Sequence, residues 1–161
     1  MSVRRAAVVT VSDGVTHGTR VDTSGEAVDR VLTDAGYATS RRVVPDEIPE
    51  IQAAIRESLP DSDLIVTTGG TGFSERDVTP EATRGLIERE APGLAEAMRA
   101  AGRAITPFAD LSRGVCGIIG RTIVVNLPGS PKGAVESLEA VVSVLGHALD
   151  HLSGDTEHAV Q

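Results

Sequence analysis

Residues Arg5–Val11 read RAAVVTV, an unbroken apolar run rather than an alternation of apolar and polar positions. Such a run marks a strand covered on both faces, which in turn demands helices above and below the sheet. The pattern recurs at residues 63–68, DLIVTT, and a third strand is predicted through YATSRRVV at 37–44. Between these runs the period changes to that of a helix. Residues 22–36, DTSGEAVDRVLTDAG, place Val28, Val31, Leu32 and Ala35 on one face, with Thr23 and Glu26 spaced as a capping box and Gly36 at the end. IPEIQAAIRESL at 48–59 forms a second helical segment. The order is β-α-β-α-β, which predicts an α/β fold of three layers, a mostly parallel sheet with helices on both faces.

The C-terminal half continues the scheme with different connections. Thr79 and Pro80 are predicted to cap and open a helix running through EATRGLIERE to residue 90, since proline suits the first helical position. A further helix is expected over GLAEAMRAAG at 93–102, and VCGIIGRTIVVNL at 115–127 reads as a hairpin about Gly120-Arg121. From Lys132 to Leu152 the residues Val135, Leu138, Val141 or Val142, Leu145, Leu149 and Leu152 form the stripe of a long final helix. With 161 residues and no repeat or linker, one domain is expected over residues 1–152 and a disordered tail over 153–161.

Charge and composition exclude several function classes. A formal net charge of -8 opposes binding to nucleic-acid backbones or anionic membrane surfaces. Aromatic residues are limited to Tyr37, Phe73 and Phe108, too few for base-stacking platforms. Neither nucleic acid nor membrane is therefore expected as a partner. The N-terminal segment enters a strand pattern without a cleavage signal and no apolar run spans a bilayer, so a cytoplasmic location is expected. The single cysteine, Cys116 in GVCGII, rules out an internal disulfide and reads as a core residue rather than a nucleophile.

The polar motifs follow the strands: SDG at 12–14 the first, PDE at 45–47 the second, GGTGFSERD at 69–77 the third, and NLPGSPK at 126–132 the last. Ligands of open α/β sheets bind outside the carboxyl ends of strands. In GGTG, Gly69, Gly70 and Gly72 let backbone N–H groups approach an anion, and Thr68 and Thr71 add hydroxyls. The loop lacks the Gly-Lys-Ser/Thr ending of a Walker A motif. Asp77, a few residues on, either holds a cation against phosphates bound there or caps the following helix. His147 and His151 have metal-binding spacing on the last helix but no third ligand, and His17 reads as a solvated loop residue.

Taken together, TTGGTGFSERDVTPEAT, VPDE, the early SDG with DTSG downstream, and NLPGSPKG resemble the molybdopterin adenylyltransferases, the Mog and MoaB-like proteins of molybdenum-cofactor biosynthesis, and the N-terminal domain of gephyrin. The resemblance runs from about residue 10 to 152. It implies a homotrimer that joins the terminal phosphate of molybdopterin to AMP from Mg-ATP, releasing pyrophosphate, with a downstream molybdenum-insertion protein as a further partner. It places the two essential acids, which also hold Mg²⁺, at Asp46 and Asp77. The nucleotide-phosphate cradle falls on Gly69, Gly70, Thr71 and Gly72. Molybdopterin-side positions fall on Ser12, Asp13, Ser112, Asn126, Pro128, Gly129, Ser130 and Lys132. Two departures from the family pattern stand out: Gly14, where relatives carry a side chain, and LSRGV, without the frequent proline before the valine. A non-catalytic molybdopterin-binding or scaffolding paralogue is the alternative, and the presence of both aspartates favours the enzyme.

Overall fold

In the computed structural model, which describes residues 2–154, the chain forms a six-stranded sheet. The strands are β1 (Arg5–Val11), β2 (Ala38–Val44), β3 (Leu64–Thr68), β4 (Arg89–Glu90), β5 (Cys116–Ile119) and β6 (Thr122–Leu127). They lie in the order β2-β1-β3-β6-β5-β4. The first four of that series run parallel, with Val8 opposite Val66 and Val66 opposite Val125, and β5 and β4 add an antiparallel edge. The carboxyl ends of β1, β2, β3 and β6 therefore open on one side of the sheet. The chain leaves β1 toward β2 on one side and returns as β3 on the other, which creates a switch point between β1 and β3.

The alternation of side chains along the strands divides the core in two. Val8, Leu64, Val66 and Val125 face helices α2 (Thr23–Asp34), α5 (Pro92–Arg103) and α6 (Pro131–Ser153), where Leu32, Met98, Leu138 and Leu145 meet them. Val9, Ile65 and Val124 face α3 (Ile48–Ser58) and α4 (Thr79–Arg84), packing against Ile51, Ile55 and Ala82. Cys116 lies in the first cluster, and burial pushes its thiol up to about 12, which keeps it protonated at neutral pH. None of the helices among the described residues is long and apolar enough to cross a membrane.

Several local features depart from the sequence expectation, each for a visible reason. The cap of α2 is Asp22, whose side chain accepts from the Gly25 N–H, and Thr23 is already helical, so the Thr23-Glu26 box does not form. The SDG motif carries a four-residue helix, α1 (Asp13–Thr16), capped by Ser12. The helix opened by Pro80 stops at Arg84 rather than continuing to residue 90. The chain is drawn instead onto the sheet edge, where the Glu88 and Ala91 N–H groups donate to Ile118 and Cys116 carbonyls at 2.9 and 2.8 Å. Thr79 does not cap this helix. Its hydroxyl donates to the Gly69 carbonyl at 2.9 Å, leaving Val78 as a cap without a side-chain bond. The final helix includes Ser153 and is closed by Gly154 in the left-handed region, φ 84°, two residues past the expected end. The remainder of the expected tail lies outside the described residues.

The two clusters make a direct stability contrast possible on α6. Leu145 is fully buried, and Leu145→Ala removes a side chain from a closed layer, so it should lower the unfolding free energy by about 2–5 kcal/mol in a denaturant titration. Its neighbour Val144 is exposed, and Val144→Ala should stay within about 0.5 kcal/mol of the wild type.

Candidate functional site

The loops after β1, β2, β3 and β6 enclose a cleft of about 770 Å³. Backbone meets backbone at its floor. Gly69 and Gly70 adopt φ values of 103° and 68°, conformations that a side chain strains, and they turn the chain out of β3. A Cβ on Gly69 would strike the Val11 carbonyl at the end of β1. A Cβ on Gly129 would stand 3.2 Å from the Gly69 Cα. The Thr68 hydroxyl donates to the Pro128 carbonyl at 2.7 Å, tying the β3 loop to the β6 loop. Among the described residues, the N–H groups of Gly70, Thr71 and Gly72 donate to no protein acceptor, which leaves them available to an anion.

The two aspartates flank this glycine loop. A Cβ on Gly70 would lie 3.2 Å from Asp46 Oδ1, and one on Gly72 would lie 2.8 Å from Asp77 Oδ2. Asp77 is not a helix cap: its Oδ2 accepts from the Ser74 N–H at 3.0 Å, within its own loop. Asp46 is locked to Asp13 by a reciprocal pair of bonds. The Asp13 N–H donates to Asp46 Oδ2 at 2.8 Å, and the Asp46 N–H donates to Asp13 Oδ1 at 3.0 Å. Arg76 in turn grips Asp13 with Nε and Nη2 at 2.9–3.0 Å and reaches Glu47 with Nη1 at 3.0 Å. Burial pushes the Asp46 carboxyl above the usual aspartate range, aided by the neighbouring Asp13 and Asp77 charges against the Asp13 hydrogen bond. The Asp46 backbone bond and the Arg76 guanidinium hold Asp13 below that range.

The predicted site residues separate on this geometry. Ser12, Asp46, Gly69, Gly70, Thr71, Gly72, Asp77, Ser112, Asn126, Pro128, Gly129 and Ser130 all line the cleft. Asp13 does not. Its carboxylate accepts from Arg76 and from the Asp46 N–H. Lys132 also stands away, its side chain 81% exposed and 3.9 Å from Glu136, because the first turn of α6 points it to solvent. The Asn126 side chain reaches the floor but its amide is taken up by the fold: Nδ2 donates to Thr67 and Thr83 hydroxyls, and Oδ1 accepts from the Val115 N–H. Ser130 caps α6 by accepting from the Gly133 N–H at 3.1 Å. His17 is exposed and off the cleft. His147 and His151 touch through Nε2 atoms 2.9 Å apart on the outside of α6, and no cluster of three or more metal-binding side chains occurs among the described residues.

Sequence reasoning missed the arginines. Arg20 and Arg99 line the cleft, and Arg99 Nη1 also donates to the Ser112 and Gly114 carbonyls. Arg20 lies across Gly14, its Cδ 2.5 Å from where a Cβ would stand, which is what the glycine in SDG makes room for. The lining also includes apolar side chains, Ala95, Met98, Phe108 and Leu111. Nothing in the spacing of these residues signals a shared cavity, because they come from separate loops and from α5.

A divalent cation of the magnesium type suits the donor set. Mg²⁺ keeps several waters and takes one or two carboxylates together with substrate phosphates, rather than an all-protein cage. Two acids at either end of a loop with free N–H groups fit that requirement without a third protein ligand.

Comparison with known proteins shows the family. A family described as a probable molybdopterin binding domain matches residues 7–147. The chain is 43% identical over 152 residues to the molybdenum cofactor synthesis protein cinnamon of Drosophila melanogaster, covering 92% of this chain but only 25% of that protein's length. It is 36% identical over 155 residues to the molybdopterin adenylyltransferase of Helicobacter pylori strain J99, covering 92% of this chain and 87% of that one. Among solved structures, the molybdopterin biosynthesis enzyme MoaB of Thermus thermophilus is similar with a TM-score of 0.88 at 51% identity, over 94% of this chain and 97% of that one.

The raised Asp46 carboxyl makes a prediction about stability. A folded-state pKa above the unfolded value, about 3.9, means that ionised Asp46 opposes folding at neutral pH and that this opposition fades as pH falls through the folded and then the unfolded pKa. Asp46→Asn should therefore melt at a higher temperature than wild type at pH 7, with the advantage shrinking on acidification. An advantage that grew toward low pH would contradict the shift.

Proposed function

The chain belongs to the molybdopterin-binding domain family of molybdenum-cofactor biosynthesis, and from that premise we propose that it is a molybdopterin adenylyltransferase using ATP and Mg²⁺. The observation that carries this reading is the placement of two carboxylates, Asp46 and Asp77, at the two ends of a glycine loop whose N–H groups are free. Adenylylation joins a phosphate oxygen of one substrate to the α-phosphorus of the other and breaks the bond to pyrophosphate. Both reactants are anions, so the protein's task is to neutralise charge and align the attack rather than to supply a covalent nucleophile. Buried, protonated Cys116 is consistent with that division of labour.

Each part of the cleft has a role in this reading. The N–H groups of Gly70, Thr71 and Gly72 cradle nucleotide phosphates, and the start of α6 at Gly129–Ser130 directs the positive end of a 23-residue helix at the same space. Arg20 and Arg99 meet the remaining phosphate charge. Asp46 and Asp77 would hold the magnesium ion, which supplies charge neutralisation to the phosphates when bound. Asp13 and Arg76 keep Asp46 in place. The apolar lining residues Met98, Phe108 and Leu111 offer surface for a heteroaromatic ring, and Ser12 and Ser112 add hydroxyls to the same cleft. Assembly as a homotrimer and delivery to a molybdenum-insertion protein extend the same proposal.

The decisive measurement is pyrophosphate release from molybdopterin and Mg-ATP. Release by the wild type supports the enzyme, while binding of molybdopterin without release would leave a scaffold. Asp77→Asn should lower the rate by about 100-fold or more. The asparagine can still accept from the Ser74 N–H, so the melting temperature should move by no more than about 2 °C. Near-normal turnover would remove Asp77 from the cation site. Light scattering on the same sample should give three times the 16.7 kDa chain, and a monomer at micromolar concentration would refute the trimer.

A further inference from the structure

We propose that Arg113 is the positioning residue for Asp77, clamping the acid loop from the far side so that its carboxylate stays beside the glycine loop. The inference rests on the reading of Asp77 given above. Arg113 sits between the 3-10 turn Pro107–Leu111 and β5, in sequence 36 residues beyond Asp77. Its backbone N–H donates to the Thr71 carbonyl at 2.8 Å. Its Nε donates to the Gly72 carbonyl at 2.7 Å, and its Nη2 to the Asp77 carbonyl at 2.7 Å. Nη1 donates to Glu81 Oε1 at 2.5 Å. One residue thus holds the segment 72–77 at both ends and ties it to the helix that follows.

The segment needs such a clamp. Phe73, Ser74, Glu75 and Arg76 are exposed, and the bonds within the turn are local: Asp77 N–H to Ser74 carbonyl at 3.0 Å, Ser74 N–H to Asp77 Oδ2 at 3.0 Å, and Arg76 N–H to Ser74 Oγ at 3.4 Å. The exposed Arg76 side chain ties the middle of the turn to Asp13 and Glu47, and Arg113 adds bonds to the backbone at its two ends. A planar guanidinium can bond two carbonyls along its edges at once, whereas a lysine ammonium cannot hold both in a fixed plane. Glu81 satisfies the third edge and neutralises the charge. Arg113 itself lines a smaller neighbouring pocket rather than the main cleft, so it acts through Asp77 and not on a bound phosphate.

The test uses Arg113→Gln, Arg113→Lys and Glu81→Gln, with Arg113→Gln also combined with Asp77→Asn. The first readout is amide hydrogen exchange in the ligand-free protein. Arg113→Gln should speed exchange of the hydrogen-bonded Ser74 and Asp77 amides by about 10-fold or more while the strand amides of β1 and β3 hold, and Glu81→Gln should change it by no more than about 2-fold. The second readout is pyrophosphate release. Arg113→Gln should lower it by about 10–100-fold, as loss of a group that orients a metal-holding carboxylate does, and Arg113→Lys should recover little of it. In the Asp77→Asn background the same substitution should add less than about 3-fold, because the two residues act in series. Unchanged exchange, full additivity, or an equal effect from Glu81→Gln would each overturn the proposal. Should Arg113→Gln fail to fold, Arg113→Lys, which retains a partner for Glu81, carries the same comparison. If the wild type releases no pyrophosphate, the reading of the activity fails, and hydrogen exchange alone still decides whether Arg113 holds the loop.

Discussion

The approach of three backbones at Gly69 is the constraint on which the rest of the site depends. Gly69 lies against the Val11 carbonyl on one side and Gly129 on the other, with no side chain between them. A Cβ on Gly69 would force the ends of β1 and β3 apart, and one on Gly129 would crowd the β6 loop against Gly69. Either would disturb a floor where Thr68 bonds Pro128 and Thr79 bonds the Gly69 carbonyl. The parallel register of the sheet brings the strand ends level, and glycine lets them close.

On that floor the acids are held by arginine at one remove. Asp46 is fixed by exchange of backbone bonds with Asp13, and Asp13 is fixed by Arg76. The loop of Asp77 is bonded by Arg113. In both cases the cation pairs with a carboxylate that is not at the centre of the cleft, Asp13 or Glu81, so each guanidinium is neutralised while it orients. The two central carboxylates thereby remain without a salt bridge among the described residues, and burial, with a smaller part from the neighbouring Asp13 and Asp77 charges, raises the Asp46 carboxyl. Such an arrangement favours a cation from outside the protein over an internal partner.

The same logic reconciles an acidic protein with an anionic ligand. The charge of -8 is a property of the whole surface, whereas the cleft gathers free amides, a helix N-terminus, Arg20 and Arg99. Local field, not net charge, governs what a cleft of this size accepts. The apolar lining residues give the remainder of a ligand a place that the polar floor does not.

The sequence by itself determined the layers and the edge on which the site opens. The apolar runs of β1 and β3 and the stripes of α2, α3 and α6 are local periodicities, and periodicity fixes which face of each element is buried. Gly69, Gly70, Gly72 and Asp77 stood out because they sit in a short motif directly after a strand, and Asp46 through the resemblance of VPDE to the family pattern. Only the tertiary structure decided the partners of those residues. That Asp13 serves Asp46, that Asn126 is committed to Thr67 and Thr83, that Lys132 points away, and that Thr79 bonds Gly69 instead of capping its helix all depend on contacts between segments distant in the chain. The early end of α4 belongs with them, since a sheet edge offering Ile118 and Cys116 carbonyls outcompetes local helix preference. Arg113 and Arg76 escaped notice because a long side chain is free to reach in many directions, and its target is set by where the folded backbone presents unpaired carbonyls and carboxylates.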